Sequence, residues 1–117
     1  MKNVLIIDDD ADTREVLQMA LGGEGFQVEM AADRDAALTM IESSRPHAIL
    51  LDYFMGGTDL ESFLMRLPKY PIPVPIILMT GAEDSSKKAR ELGVPFSITK
   101  PFTIEALTEL LGRAIKV

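Results

Sequence analysis

Apolar residues gather in five short runs, and the stretches between them repeat with helical spacing. Val4-Leu5-Ile6-Ile7, Ala48-Ile49-Leu50-Leu51 and Ile76-Ile77-Leu78-Met79 are apolar throughout, as in strands covered on both faces. Phe26, Val28 and Met30 alternate with Gln27 and Glu29, and Phe96 and Ile98 alternate with Ser97 and Thr99, as in strands less fully covered. Val16, Leu17, Ala20 and Leu21 predict a first helix, stopped by Gly22-Gly23. Ala36, Ala37, Met40 and Ile41 predict a second behind an N-cap at Asp33. Leu60, Phe63, Leu64 and Leu67 predict a third, with Thr58-x-x-Glu61 as a capping box. A last helix begins near Thr103 and turns Ile104, Leu107, Leu111 and Ile115 inward. Glu83 to Leu92 predicts a fourth helix with only Ala89 and Leu92 to bury, ended by Gly93. So little apolar surface puts that helix at the low end of local stability.

Alternating strands and helices with short links imply a parallel sheet with helices on both faces. The two alternating strands, second and fifth, suit the edges. With right-handed crossovers, the order that fits is 2-1-3-4-5, that of the flavodoxin-like α/β fold. A chain of 117 residues holds one such (βα)5 domain, taken here as residues 1–117.

Composition narrows the classes of function. The chain is 47% hydrophobic and 26% charged, ordinary for a globular domain. No apolar run approaches the roughly 20 residues that span a bilayer, the N-terminus does not read as a signal peptide, and cysteine is absent. Cytoplasmic location is the default expectation. A net charge of −6 argues against direct contact with nucleic acid or anionic membrane, whose binding rests on Lys and Arg.

Four strands end in residues able to handle a phosphoryl group. Asp8-Asp9-Asp10 follow the first, Asp52 the third, Thr80 the fourth and Lys100 the fifth. Ligands of such sheets bind beyond the carboxyl ends of the strands, at the switch point, here between strands one and three. Three carboxylates from Asp8, Asp9 and Asp52 would repel one another there, and a hard cation such as Mg²⁺ would relieve them. Blander roles exist for each part. The acids between Asp8 and Asp12 can cap the first helix, Asp52 can be a turn residue, Thr80 an ST-turn or cap, and Lys100 a surface charge. Capping accounts neither for the surplus acids nor for Asp52 on a separate strand. His47, the one histidine, precedes the third strand and reads as structural.

These residues carry a resemblance. Val4 to Asp9, Leu51-Asp52-Tyr53-Phe54-Met55, Met79-Thr80-Gly81-Ala82 and Lys100-Pro101-Phe102 resemble, in order and spacing, the receiver domain of two-component response regulators. The resemblance implies that Asp52 accepts a phosphoryl group from the phosphohistidine of a sensor kinase or phosphotransfer protein. It implies Mg²⁺ held by Asp9, Asp52 and the Phe54 carbonyl, with Asp8 acting mainly through water. Lys100 would offset charge on the transferred group, and Thr80 would turn toward it afterwards. The surface of the fourth helix, fifth strand and fifth helix would then switch, toward an output domain, a downstream protein or a second copy. Phe54, two residues beyond the acceptor, would shield the phosphoryl group and slow self-dephosphorylation.

The chain departs from that pattern at three places. Gly56 stands where the family usually has proline, Leu60 where it has glycine, and Ser97 where it commonly has the aromatic residue that reports the switch. These departures keep open an alternative, a degenerate receiver serving as a phosphorylation-independent scaffold. A haloacid-dehalogenase-type phosphatase also uses an aspartyl phosphate, but Asp8-Asp9-Asp10-Ala11-Asp12 does not fit its Asp-x-Asp-x-Thr/Val pattern.

Overall fold

The computed structural model describes residues 2–53, 59–69, 73–81 and 85–115. In chain order the elements are β1 (Asn3–Ile7), α1 (Ala11–Gly23), β2 (Gln27–Ala31), α2 (Arg34–Ser43), β3 (Ala48–Asp52), α3 (Leu60–Met65), β4 (Ile76–Thr80), α4 (Ser85–Leu92), β5 (Phe96–Thr99) and α5 (Ile104–Ala114). The strands form one five-stranded parallel sheet in the order β2-β1-β3-β4-β5. This is the expected flavodoxin-like fold, with the two alternating strands at its edges. No helix among the described residues is long and apolar enough to cross a membrane.

Alternation along the central strands divides the core into two layers. Val4, Ile6, Leu50, Ile77 and Met79 face α1 and α5, where they meet Leu17, Leu21, Leu107 and Leu111. Leu5, Ile7, Ile49, Leu51 and Leu78 face α2, α3 and α4, where they meet Ala37, Ile41, Phe63 and Ala89. All three inner strands are thus covered on both sides, which is why their sequences carry no polar alternation.

Local chemistry fixes the helix starts. Asp33 accepts from the Ala36 N–H at 2.7 Å and Thr103 from the Ala106 N–H at 3.1 Å. The third helix starts differently from expectation. Its N-cap is Asp59, which accepts from the Ser62 N–H at 3.1 Å, one residue beyond Thr58, itself outside the described residues. Gly22 and Gly23 remain helical, and the left-handed turn falls at Gly25, φ 93°. Val16, expected inward, is 63% exposed, and Ala36 is exposed as well. Each adjoins a more central apolar residue, Leu17 or Ala37, and adjacent helical positions lie about 100° apart. In each of these two pairs the more central residue takes the inner place.

Among the described side chains of α4, as expected, Ala89 is the buried one and Leu92 is half-buried. Its C-terminal end is held by the Val94 N–H donating to the Ala89 carbonyl at 2.8 Å, with Gly93 at φ 74° making the turn. The expected residues 83 and 84 of this helix lie outside the described residues.

Candidate phosphoryl-acceptor and metal site

Sheet register delivers the strand-end residues to one place. Ile7 pairs with Leu51 and Asp52 with Met79, so Asp8 comes level with Asp52, and Thr80 lies one step further along β4. On the other side Thr80 pairs with Thr99, and the Lys100 N–H donates to the Thr80 carbonyl at 2.7 Å. Residues separated by up to 92 positions in sequence meet at one end of one sheet.

Asp8, Asp9 and Asp52 each present a carboxylate oxygen, and these atoms all lie within 4.8 Å of one another. Asp8 is 1% exposed and Asp52 6%, while Asp9 faces solvent. Lys100 reaches over them as its long stem allows. Its Nζ donates to Asp8 Oδ2 at 3.1 Å and to Asp52 Oδ1 at 3.5 Å. Burial alone would push this ammonium down, but the Asp8 hydrogen bond and the charges of Asp52 and Asp8 outweigh it and hold it above its ordinary value of 10.5. Thr80 is fully buried at the end of β4.

Capping falls to Asp10 and not to Asp8 or Asp9. Asp10 Oδ2 accepts from Thr13 Oγ1 at 2.6 Å and Oδ1 from the Asp12 N–H at 3.3 Å. The Thr13 hydrogen bond is the main reason its carboxyl is held below 3.8. Asp8 is oriented instead. Its Oδ1 accepts from the Asp10 N–H at 2.9 Å, its own N–H donates to the Ala31 carbonyl at 3.2 Å, and its carbonyl accepts from Arg14 Nη1 at 2.7 Å.

Hard carboxylate oxygens at this spacing, with one ammonium set against three acids, suit a small divalent cation such as Mg²⁺. Phe54, expected to add a carbonyl ligand, lies outside the described residues, as do Met55, Gly56 and Ala82. His47 keeps away from the site. Its Nδ1 accepts from the Asn3 N–H at 2.9 Å, and its N–H donates to the Asn3 carbonyl at 2.8 Å, tying the start of β1 to the residue before β3.

Two contacts around the site escaped the sequence reading. Arg14 holds the Asp8 carbonyl, and Arg34 Nη2 donates to the Tyr53 carbonyl at 3.3 Å. For Arg34 a signal was present, because a cation directly behind an N-cap runs against the helix dipole. On the far side of Tyr53, Lys88 Nζ stands 4.8 Å from the ring centroid.

The chain matches the response regulator receiver domain family over residues 4–112. It is 33% identical over 119 aligned positions to the phosphate regulon transcriptional regulatory protein PhoB of Pseudomonas aeruginosa, covering 98% of this chain and 52% of that protein. It is 36% identical over 112 positions to the response regulator MprA of Mycobacterium avium, covering 94% and 48%. It therefore spans about half the length of these curated relatives. The structure of the chemotaxis response regulator CheY4 of Vibrio cholerae aligns with a TM-score of 0.85 at 28% identity, over 97% of this chain and 98% of that one. The family match runs from β1 into α5, across the whole sheet that gathers the acids and the lysine, and the chain belongs to the response regulator receiver domains of two-component signalling.

Proposed function

We propose that residues 1–117 act as a phosphoacceptor module in which Asp52 is the acceptor. The observation that carries this reading is the meeting of Asp8, Asp9, Asp52 and Lys100 at one end of the sheet. A carboxylate oxygen of Asp52 attacks the phosphorus of a phosphohistidine on a sensor kinase or phosphotransfer protein. The phosphorus–nitrogen bond breaks, its electron pair returns to the imidazole, and an aspartyl phosphate remains. Asp9 and Asp52, with the Phe54 carbonyl, are the ligands proposed for Mg²⁺, and Asp8 takes part through water. Bound there, Mg²⁺ supplies charge neutralisation for the oxygens of the transferred group.

The chain's own residues do the rest. Lys100 is close enough to Asp52 to follow the new phosphoryl oxygens, exchanging a carboxylate partner for a phosphate one. Thr80, one step past the Asp52 partner on β4, is the hydroxyl proposed to turn toward that group. Its carbonyl is already tied to the Lys100 N–H, so movement there reaches the end of β5. The lightly buried α4 is the element we propose to shift, with β5 and α5, toward an output domain or a downstream partner.

Acetyl phosphate with Mg²⁺ tests the reading. Intact-mass measurement should show one added phosphoryl group on the wild type and none on Asp52→Asn. Labelling of both proteins, or of neither, overturns it.

A further inference from the structure

We infer that Arg34 is a positioning residue for the phosphorylation of Asp52, acting through the Tyr53 carbonyl; the inference rests on the function proposed above. Arg34 opens α2 directly behind the Asp33 N-cap, where the helix dipole disfavours a cation. It is also 4% exposed, although long basic side chains ordinarily carry their charge out to water. Both settings cost stability, and an arginine turned outward at this position would escape the burial cost. What the inward placement gains is a donor to the backbone beside the acceptor, Nη2 to the Tyr53 carbonyl at 3.3 Å.

Tyr53 directly follows Asp52 and is held from three directions. Its N–H donates to the Met79 carbonyl at 2.9 Å, which continues the ladder with β4. Its carbonyl is taken by Arg34 from α2. Its ring packs on the core layer beneath α2, α3 and α4, with Lys88 of α4 over its face. The ladder fixes the peptide entering Tyr53, and Arg34 fixes the peptide leaving it. Together they restrain the backbone on which the Asp52 carboxylate is mounted. In-line attack on phosphorus depends steeply on such placement, an error of about 1 Å costing roughly a hundredfold in rate. The contact runs through one donor, Nη2, which the planar guanidinium holds in a fixed direction, whereas a lysine ammonium is a point donor on a flexible stem.

Arg34→Met and Arg34→Lys, compared with wild type in acetyl phosphate labelling with Mg²⁺, test the assignment. In the folded variants kcat should fall, by about tenfold to a hundredfold in Arg34→Met and by less in Arg34→Lys, with KM for acetyl phosphate near the wild-type value. In metal-free protein the Tyr53 carbonyl ¹³C resonance should move in both variants further than those of the neighbouring β3 residues. A role confined to stability would instead lower Tm and leave kcat per folded molecule unchanged. Wild-type kcat in folded Arg34→Met overturns the assignment. Should that variant fail to fold, wild-type kcat and an unmoved Tyr53 resonance in Arg34→Lys do the same. Labelled wild type beside unaltered variants removes this assignment alone, whereas unlabelled wild type removes the proposed function with it.

Discussion

Replacing Lys100 with Met separates two roles that one ammonium plays. Its Nζ sits 3.1 Å from Asp8 and 3.5 Å from Asp52, and the side chain is 32% exposed. At these distances Coulomb's law gives about 1 kcal/mol per contact in water and about 5 at an effective dielectric of 20. Both acids are buried while a third of the lysine side chain meets solvent, so screening and the cost of desolvation bring the net loss well below the Coulomb figure, to about 1–2 kcal/mol without metal. For a domain of this size that is a fall in Tm of roughly 4–8 °C in chelator. Metal binding should move the opposite way. The same substitution removes a positive charge that competes with Mg²⁺ for the same carboxylates, and Mg²⁺ affinity should rise about tenfold. Labelling by acetyl phosphate should nevertheless slow by tenfold or more, because charge on the transferring oxygens loses its cation. Thermal unfolding in chelator, calorimetric titration with Mg²⁺ and timed intact-mass labelling read the three effects. An unchanged Tm together with weaker Mg²⁺ binding would refute the reasoning, since it would mean that Lys100 does not share the acids with the metal.

Three further outcomes are expected. Because the folded Lys100 pKa lies above 10.5, its contribution is complete below 10.5 and is lost as pH rises through the higher folded value. The stability gap between wild type and Lys100→Met, followed by denaturant titration, should therefore stay constant from neutral pH to 10.5 and narrow only beyond it. Phe63→Ala empties a fully buried position in the α2–α3–α4 layer and should cost about 3–5 kcal/mol in urea unfolding, with Mg²⁺ affinity of the folded protein unchanged. Gly93→Ala meets no atom within 4 Å of the new Cβ yet keeps φ at 74°, so it should cost about 1–2 kcal/mol through the backbone alone and speed amide exchange in α4 before other helices.

Strand order was legible because burial writes itself into composition. The doubly covered β1, β3 and β4 are uniformly apolar, and the edge strands alternate. Once the order was known, the switch-point rule brought Asp8, Asp9 and Asp52 together, and the close grouping of their oxygens follows from parallel register. Val16 lies outward although apolar because hydrophobicity marks a helical face only to within one residue, and Leu17 occupies the inner place. Asp59 displaced Thr58 as cap because a single-residue shift in a helix start leaves the polar pattern almost intact. The contacts of Arg14 and Arg34 run from side chain to backbone carbonyl, and periodicity carries no information about such partners. Why Ser97 stands on β5 where an aromatic residue is usual has no explanation in the packing, since Phe96 and Ile98 face the α1–α5 layer.

The thin attachment of α4 bears on how quiet the unstimulated protein is. For the shift proposed above, a helix whose described residues bury one alanine ahead of a glycine turn would hold its resting and shifted positions only a few kcal/mol apart, a gap at which roughly 0.1–10% of molecules occupy the minor position. On the proposed mechanism those molecules signal without any stimulus. The floor of the response is then set by α4 and its ceiling by the acceptor, so the gain of the pathway can be retuned at this helix without touching the chemistry of transfer.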